Sequence, residues 1–298
     1  MGGQVVQSEI FRQSLSLSGV GTWSTTGSIL MGRSWGACAG NTGSALFFTG
    51  YTGTSVNNNE IWGGSSWATT SAHTLSMYGS LGIGDNSSSV MSIGGHTGAV
   101  ISSCYKWNGA WSTTTSYPTN IYQHTGIGST SAAFVCKGYS TAPTGSSYIW
   151  DGSAWHTTAV SSISNYALAM CGTTSNAMTA CGFRVSSSVS FSMDDVEKWN
   201  GSVWSTTTNF LTTLYGLVGA GTTSASIFHG GSRSESGNIA CLNNTFRWTG
   251  TAWSITTNLI TARGAHCGTG SMSNALAFGG YTSENTSYPT AAEIWSYV

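Results

Sequence analysis

Tyr78, Tyr122, Tyr166 and Tyr215 recur at intervals of 44, 44 and 49 residues, and a second aromatic set, Tyr51, Tyr139, Phe183 and Tyr281, keeps a related beat. In the two copies without a tyrosine at the first position the preceding residue is arginine, Arg33 or Arg263, and Arg184 and Arg233 accompany the second position. Such side chains supply stacking, cation–π attraction and directional hydrogen bonds with no covalent step. Gathered on one surface they would hold a sugar ring or a protein loop; otherwise they would only pack the loops between repeating units. Both readings stand on the sequence alone.

Other reactive groups form no recognisable centre. Of the six histidines, His73, His96, His124, His156, His229 and His266, only His124 and His266 share a repeat position. That pair could ligate a metal, but packing is the simpler reading, and no metal or cofactor is expected. The seven cysteines include no C-x-x-C. Cys38, Cys171 and Cys267 lie in glycine-rich stretches that call for a small apolar residue, so free buried thiols are expected. Asp194, Asp195 and Glu197 read as a solvated acidic run. Asp151–Trp155 echoes a sialidase Asp-box only partly and reads as a hairpin turn. No residue is assigned a catalytic role.

The elements that must position these groups are set by six tryptophans, Trp23, Trp67, Trp111, Trp155, Trp204 and Trp253, spaced 44, 44, 44, 49 and 49 apart. Seventeen places after each is a glycine (Gly40, Gly84, Gly128, Gly172, Gly221, Gly270). Twenty-seven places after each is another (Gly50, Gly94, Gly138, Gly182, Gly231, Gly280). Five of the tryptophans close a W-x-G-x-x-W or W-x-G-x-W element, whose Gly-centred turn predicts a tight hairpin with its two indoles side by side. A stretch alternating apolar residues with glycine follows, as in Leu81–Gly84, and then a strand with a hydrophobic residue in every copy (Leu46, Val90, Phe134, Met178, Ile227, Leu276). Four short strands repeated six times predict an all-β, six-bladed propeller. The chain ends on a third strand, Glu293–Trp295, and begins at residues 20–27 with a lone fourth strand. Pairing the two closes the ring and removes an exposed edge. Residues 1–19 carry no repeat marker and are expected to form an arm, and 20–298 the propeller.

Charged residues are only 6% of the chain and the formal net charge is −1. A Ser/Thr/Asn/Gly surface with so little repulsion favours self-association or inclusion in a larger assembly. Nine scattered Lys and Arg make no nucleic-acid track. The first sixteen residues contain no apolar leader and no stretch is long enough to span a membrane.

The glycine pairs Gly94–Gly95, Gly230–Gly231 and Gly279–Gly280, together with the triplets Glu60–Ile61–Trp62, Glu197–Lys198–Trp199 and Glu293–Ile294–Trp295, resemble the kelch repeat over residues 20 to 298. Only three copies keep the full glycine pair, and tryptophan stands where kelch usually has tyrosine in the third strand. The resemblance implies that the start of the innermost strand, where Tyr78 and its mates stand, lies on the face that binds ligands. Strings such as W-N-G-x-x-W-S-T-T are also similar to the kelch-like repeats of tailed-phage structural proteins. This implies a non-enzymatic virion component, a tail-fibre, tail-associated or capsid-decorating propeller. It would assemble in the host cytoplasm, with other virion proteins or copies of itself as partners and a host surface glycan or protein as its target. A free-standing lectin, or less directly a galactose-oxidase-like or glycosidase enzyme, is the alternative.

Overall fold

The computed structural model describes residues 20–186, 189–235, 238–282 and 287–297; the expected arm, residues 1–19, lies outside them. The described residues form six four-stranded antiparallel sheets and no helix. The innermost strands of blades 1 to 6 are Ala37–Asn41, Leu81–Asn86, Thr125–Gly128, Ala169–Thr173, Val218–Gly221 and Cys267–Gly270. Blade 6 is the composite: Gly21–Thr26 pairs antiparallel with Ala292–Tyr297, placing Trp23 opposite Trp295 as expected.

In every blade the tryptophan ending the third strand faces the one near the start of the outer strand, with ring centroids 4.8 to 5.6 Å apart. The third-strand indoles, Trp62, Trp107, Trp150, Trp199, Trp248 and Trp295, are buried, and each N–H donates to a backbone carbonyl in the turn after the innermost strand at 2.8 to 3.1 Å. Burying an indole without such an acceptor would strand a polar group. The glycines of the +17 series sit at φ between 112° and 151°, and a Cβ on any of them would lie 2.2 to 2.5 Å from a backbone carbonyl oxygen across its hairpin. The series is therefore fixed by both dihedral and space.

The core lies between blades. Six apolar clusters occupy the six seams, each built from two neighbouring sheets. Hydrogen bonds bridge the same seams. A left-handed pair ends each second strand: Thr49–Gly50, Gly94–Gly95, Lys137–Gly138, Cys181–Gly182, Gly230–Gly231 and Gly279–Gly280, with φ of 54° to 65° at the first residue. The second residue's N–H donates into the next blade, to Met77, Ile121, Asn165, Leu214, Arg263 or Arg33, at 2.8 to 3.0 Å. Glycine at the first place is thus a convenience. Thr49, Lys137 and Cys181 adopt the same φ at about 1 kcal/mol each.

Around the channel, Trp35, Gly79, Gln123, Ala167, Gly216 and Ala265 form a closed circle. Each N–H donates to the carbonyl of its counterpart in the preceding blade at 2.7 to 3.0 Å, and the sixth bond, Trp35 N–H to Ala265 O, completes the loop. All six hold φ between 48° and 64°.

Two local features differ from the expected repeat. Blade 2 carries an extra residue in its first hairpin, seen as a register shift between Ile83 and Asn86. The partner of Gly50 is therefore Gly95, and the +27 glycine Gly94 is the first of the pair. In blades 4 and 5, where the period lengthens to 49, the added residues build separate hairpins, Phe183–Ser186 with Val189–Ser192 and Ser232–Glu235 with Asn238–Cys241.

Candidate functional site

The residue three places before each innermost strand bridges to the one following the left-handed pair of its own blade: Ser34 to Tyr51, Tyr78 to His96, Tyr122 to Tyr139, Tyr166 to Phe183, Tyr215 to Ser232 and Gly264 to Tyr281. These twelve positions form a crown at one end of the channel. The two aromatic sets read from the sequence therefore meet. Ring contacts run unbroken through Tyr51, Tyr78, His96, Tyr122, Tyr139, Tyr166, Phe183 and Tyr215, with successive centroids 4.8 to 5.6 Å apart. The Tyr281 hydroxyl continues the chain, 3.4 Å from that of Tyr215 and 2.9 Å from the Ser232 hydroxyl, which donates to it. Tyr215 and Tyr281 are buried, whereas the others are half-exposed.

Burial holds the phenols neutral. Desolvation raises Tyr78 and Tyr122, with neighbouring phenols adding to the effect, and pushes Tyr166 up to about 12. Tyr78, Tyr122 and Tyr166 therefore present uncharged rings and hydroxyl donors at any physiological pH. Where Ser34 and Gly264 interrupt the aromatics, Tyr288 enters from the loop between the second and third strands of blade 6. With Trp35, Tyr51, Gly53 and Tyr78 it lines a cavity of about 350 Å³. That volume lies near the lower end of small-ligand sites. The channel beneath, lined by the innermost strands, encloses about 320 Å³.

Trp35, His96 and Tyr288 went unread in the sequence. His96 could have been found from the glycine pair Gly94–Gly95. Trp35 shares its position with Gly79, Gln123, Ala167, Gly216 and Ala265, so nothing in the repeat marks it. Tyr288 lies outside the repeat pattern.

The arginines divide. Arg33 and Arg263 do not reach the crown: both are fully buried, Arg33 Nη1 lying 2.5 Å from Glu60 Oε1 and Arg263 Nη2 2.7 Å from Glu293 Oε1. The reason is the glutamate of the third strand, which points into the blade and requires a cation and further donors. Glu60 also accepts from the Leu30 and Met31 amides, and Glu293 from those of Ile260 and Thr261, tying each inter-blade segment to the sheet it enters. In blade 4 Glu197 plays this part, 2.6 Å from Lys137 Nζ and bonded by the Ser161 and Ser162 hydroxyls. Glu197 is thus buried, against the expectation of a solvated run. Arg184 and Arg233 lie on the two additional hairpins; Arg184 Nε donates to Ser164 O at 3.3 Å, and Arg233 bonds the Thr212 hydroxyl.

His124 and His266 do not meet. His266 Nε2 instead lies 3.0 Å from His229 Nδ1 in the seam between blades 5 and 6, both rings buried. Among the described residues there is no group of three or more His, Cys, Asp or Glu placed to hold a metal. Asp151 caps its turn, accepting from the Ser153 and Ala154 amides at 2.8 Å, as a hairpin residue should.

Fold and site together define a six-bladed β-propeller with an aromatic crown on one face. No protein-family model matches the chain, and no curated protein matches it in sequence. Among solved structures it is similar to that of YjhT, with a TM-score of 0.73 and 11% identity over 90% of this chain and 95% of that one. Identity that low shows a shared fold.

Proposed function

We propose that this protein is a non-enzymatic adhesion module, a kelch-like propeller of a tailed-phage virion that binds host-surface carbohydrate through the crown. The cavity walled by Trp35, Tyr51, Tyr78 and Tyr288 carries the reading. Flat rings with neutral hydroxyls at their edges stack on the apolar faces of pyranose rings and hydrogen-bond their hydroxyls. The low charge of the chain suits packing among other virion proteins.

A glycan array probed with the full chain, followed by titration of any hit, tests the binding. Trp35→Ala and Tyr78→Ala should each weaken saturable binding about tenfold or more while the melting temperature stays near that of the parent. Absence of saturable glycan binding, or binding indifferent to both changes, refutes it. Mass spectrometry of purified particles tests the virion assignment separately: a lectin that binds glycan yet is absent from particles is free-standing.

A further inference from the structure

The seam between blade 6 and blade 1 carries a pair of thiols found at no other seam. Cys38 lies in the innermost strand of blade 1, and Cys267 opens that of blade 6. In repeat terms Cys38 occupies the position held by Gly82, Gly126, Gly219 and Gly268 in four other blades. A Cβ built on Gly126 would lie 2.8 Å from Leu81 Cδ2, and one on Gly268 3.0 Å from Val218 Cγ1. Leu81 and Val218 hold the position of Cys267 in their own blades, so this pair of positions meets across a seam. At the blade 6 to blade 1 seam both are cysteine. The contacts agree: Cys267 Sγ reaches Gly36 O at 3.1 Å and Cys38 Sγ reaches Gly268 O at 3.4 Å, each thiol extending to the other's strand. Cys38 is half-buried and borders the channel, while Cys267 is buried.

We propose that Cys38 and Cys267 are a redox site, a dithiol that closes to a disulfide and makes the propeller ring covalent. The oxidant is a small-molecule disulfide able to enter the channel. The Cys38 thiolate attacks one sulfur of the reagent, expelling one thiol and leaving a mixed disulfide. The Cys267 thiolate then attacks Cys38 Sγ and expels the second. The protein loses two electrons and two protons, and the reagent is reduced to two thiols. The bond would join residues 229 positions apart, bypassing the non-covalent clasp of Gly21–Thr26 on Ala292–Tyr297. A cross-link closing so long a loop constrains the unfolded chain strongly.

The test uses the full chain treated with glutathione disulfide. Thiols titrated in denaturant should fall from the seven free cysteines by two, peptide mapping should link Cys38 to Cys267, and the melting temperature should rise by roughly 5 °C or more over the reduced protein. Cys267→Ser should trap the reagent on Cys38 as a mixed disulfide without the thermal gain. Cys38→Gly, which restores the residue carried by its repeat mates, should fold and show neither change. Seven thiols remaining after treatment, a link to a different cysteine, or an oxidised protein that melts no higher than the reduced one overturns the proposal.

Discussion

Acidification should unfold this propeller through its histidines, and the size of the effect can be worked from burial. Desolvation pushes His73 down to about 4, His124 and His229 down to about 3, and His266 well below its ordinary value of 6.5. In the folded protein these rings stay neutral under mildly acid conditions, whereas in the unfolded chain they take up a proton below pH 6.5. The stability they confer is therefore complete above pH 6.5 and is lost as the pH falls toward 3 to 4. At pH 5 each costs about 2 kcal/mol relative to neutral pH. His73, His124 and His229 together approach about 6 kcal/mol, comparable with the whole stability of an ordinary domain. Asp195, raised by burial and by Asp194, works weakly in the opposite direction. His124 isolates the effect, because its ring is buried with neither nitrogen hydrogen-bonded to protein. Denaturant midpoints at pH 7.5 and pH 5 should show a large loss for the parent, and His124→Gln should shrink that loss by about 2 kcal/mol whatever it does at pH 7.5. A parent equally stable at both values, or a pH-dependent loss unchanged in the variant, would refute the reasoning.

Breaking the Arg263–Glu293 pair from one side, with Glu293→Gln, should destabilise by about 3 kcal/mol or more, while the double change Arg263→Met with Glu293→Gln should recover part of that loss, both read from denaturant midpoints. In the channel circle, Gly216→Ala adds a Cβ 2.9 Å from the Ala265 amide nitrogen at a φ of 62°; it should lower stability by about 1 to 2 kcal/mol. Ala167→Gly, at a φ of 54°, should be neutral or slightly stabilising in the same melting experiment.

The architecture was legible because each copy repeats the same local demands. A tryptophan pair across a turn, a glycine where only positive φ fits and a buried aliphatic two strands in can each be read without long-range contacts. The composite blade was legible for the same reason, as two incomplete ends of one pattern. What escaped were properties arising from partners far along the chain. Arg33 and Arg263 look like surface residues until Glu60 and Glu293 are folded against them. His266 finds His229, a residue at a different repeat position, because neighbouring blades bring unlike positions together. The left-handed pair was only half visible, since Thr49, Lys137 and Cys181 take the conformation that the three glycine copies advertise. The crown was predicted as a gathering of Tyr, Phe and Arg; Arg33 and Arg263 are buried away from it, and its cavity depends on Trp35 and Tyr288, which follow no repeat rule.

The circle of amide bonds through Trp35, Gly79, Gln123, Ala167, Gly216 and Ala265 has a consequence for the backbone. In a helix, aligned peptide dipoles add along the axis and leave partial charges at two ends. Here each residue's N–H and C=O take part in bonds that lead around a closed path from blade to blade, so no terminal donor or acceptor is left over. The throat below the crown is thus held by a ring of hydrogen bonds that has no end at which to fray.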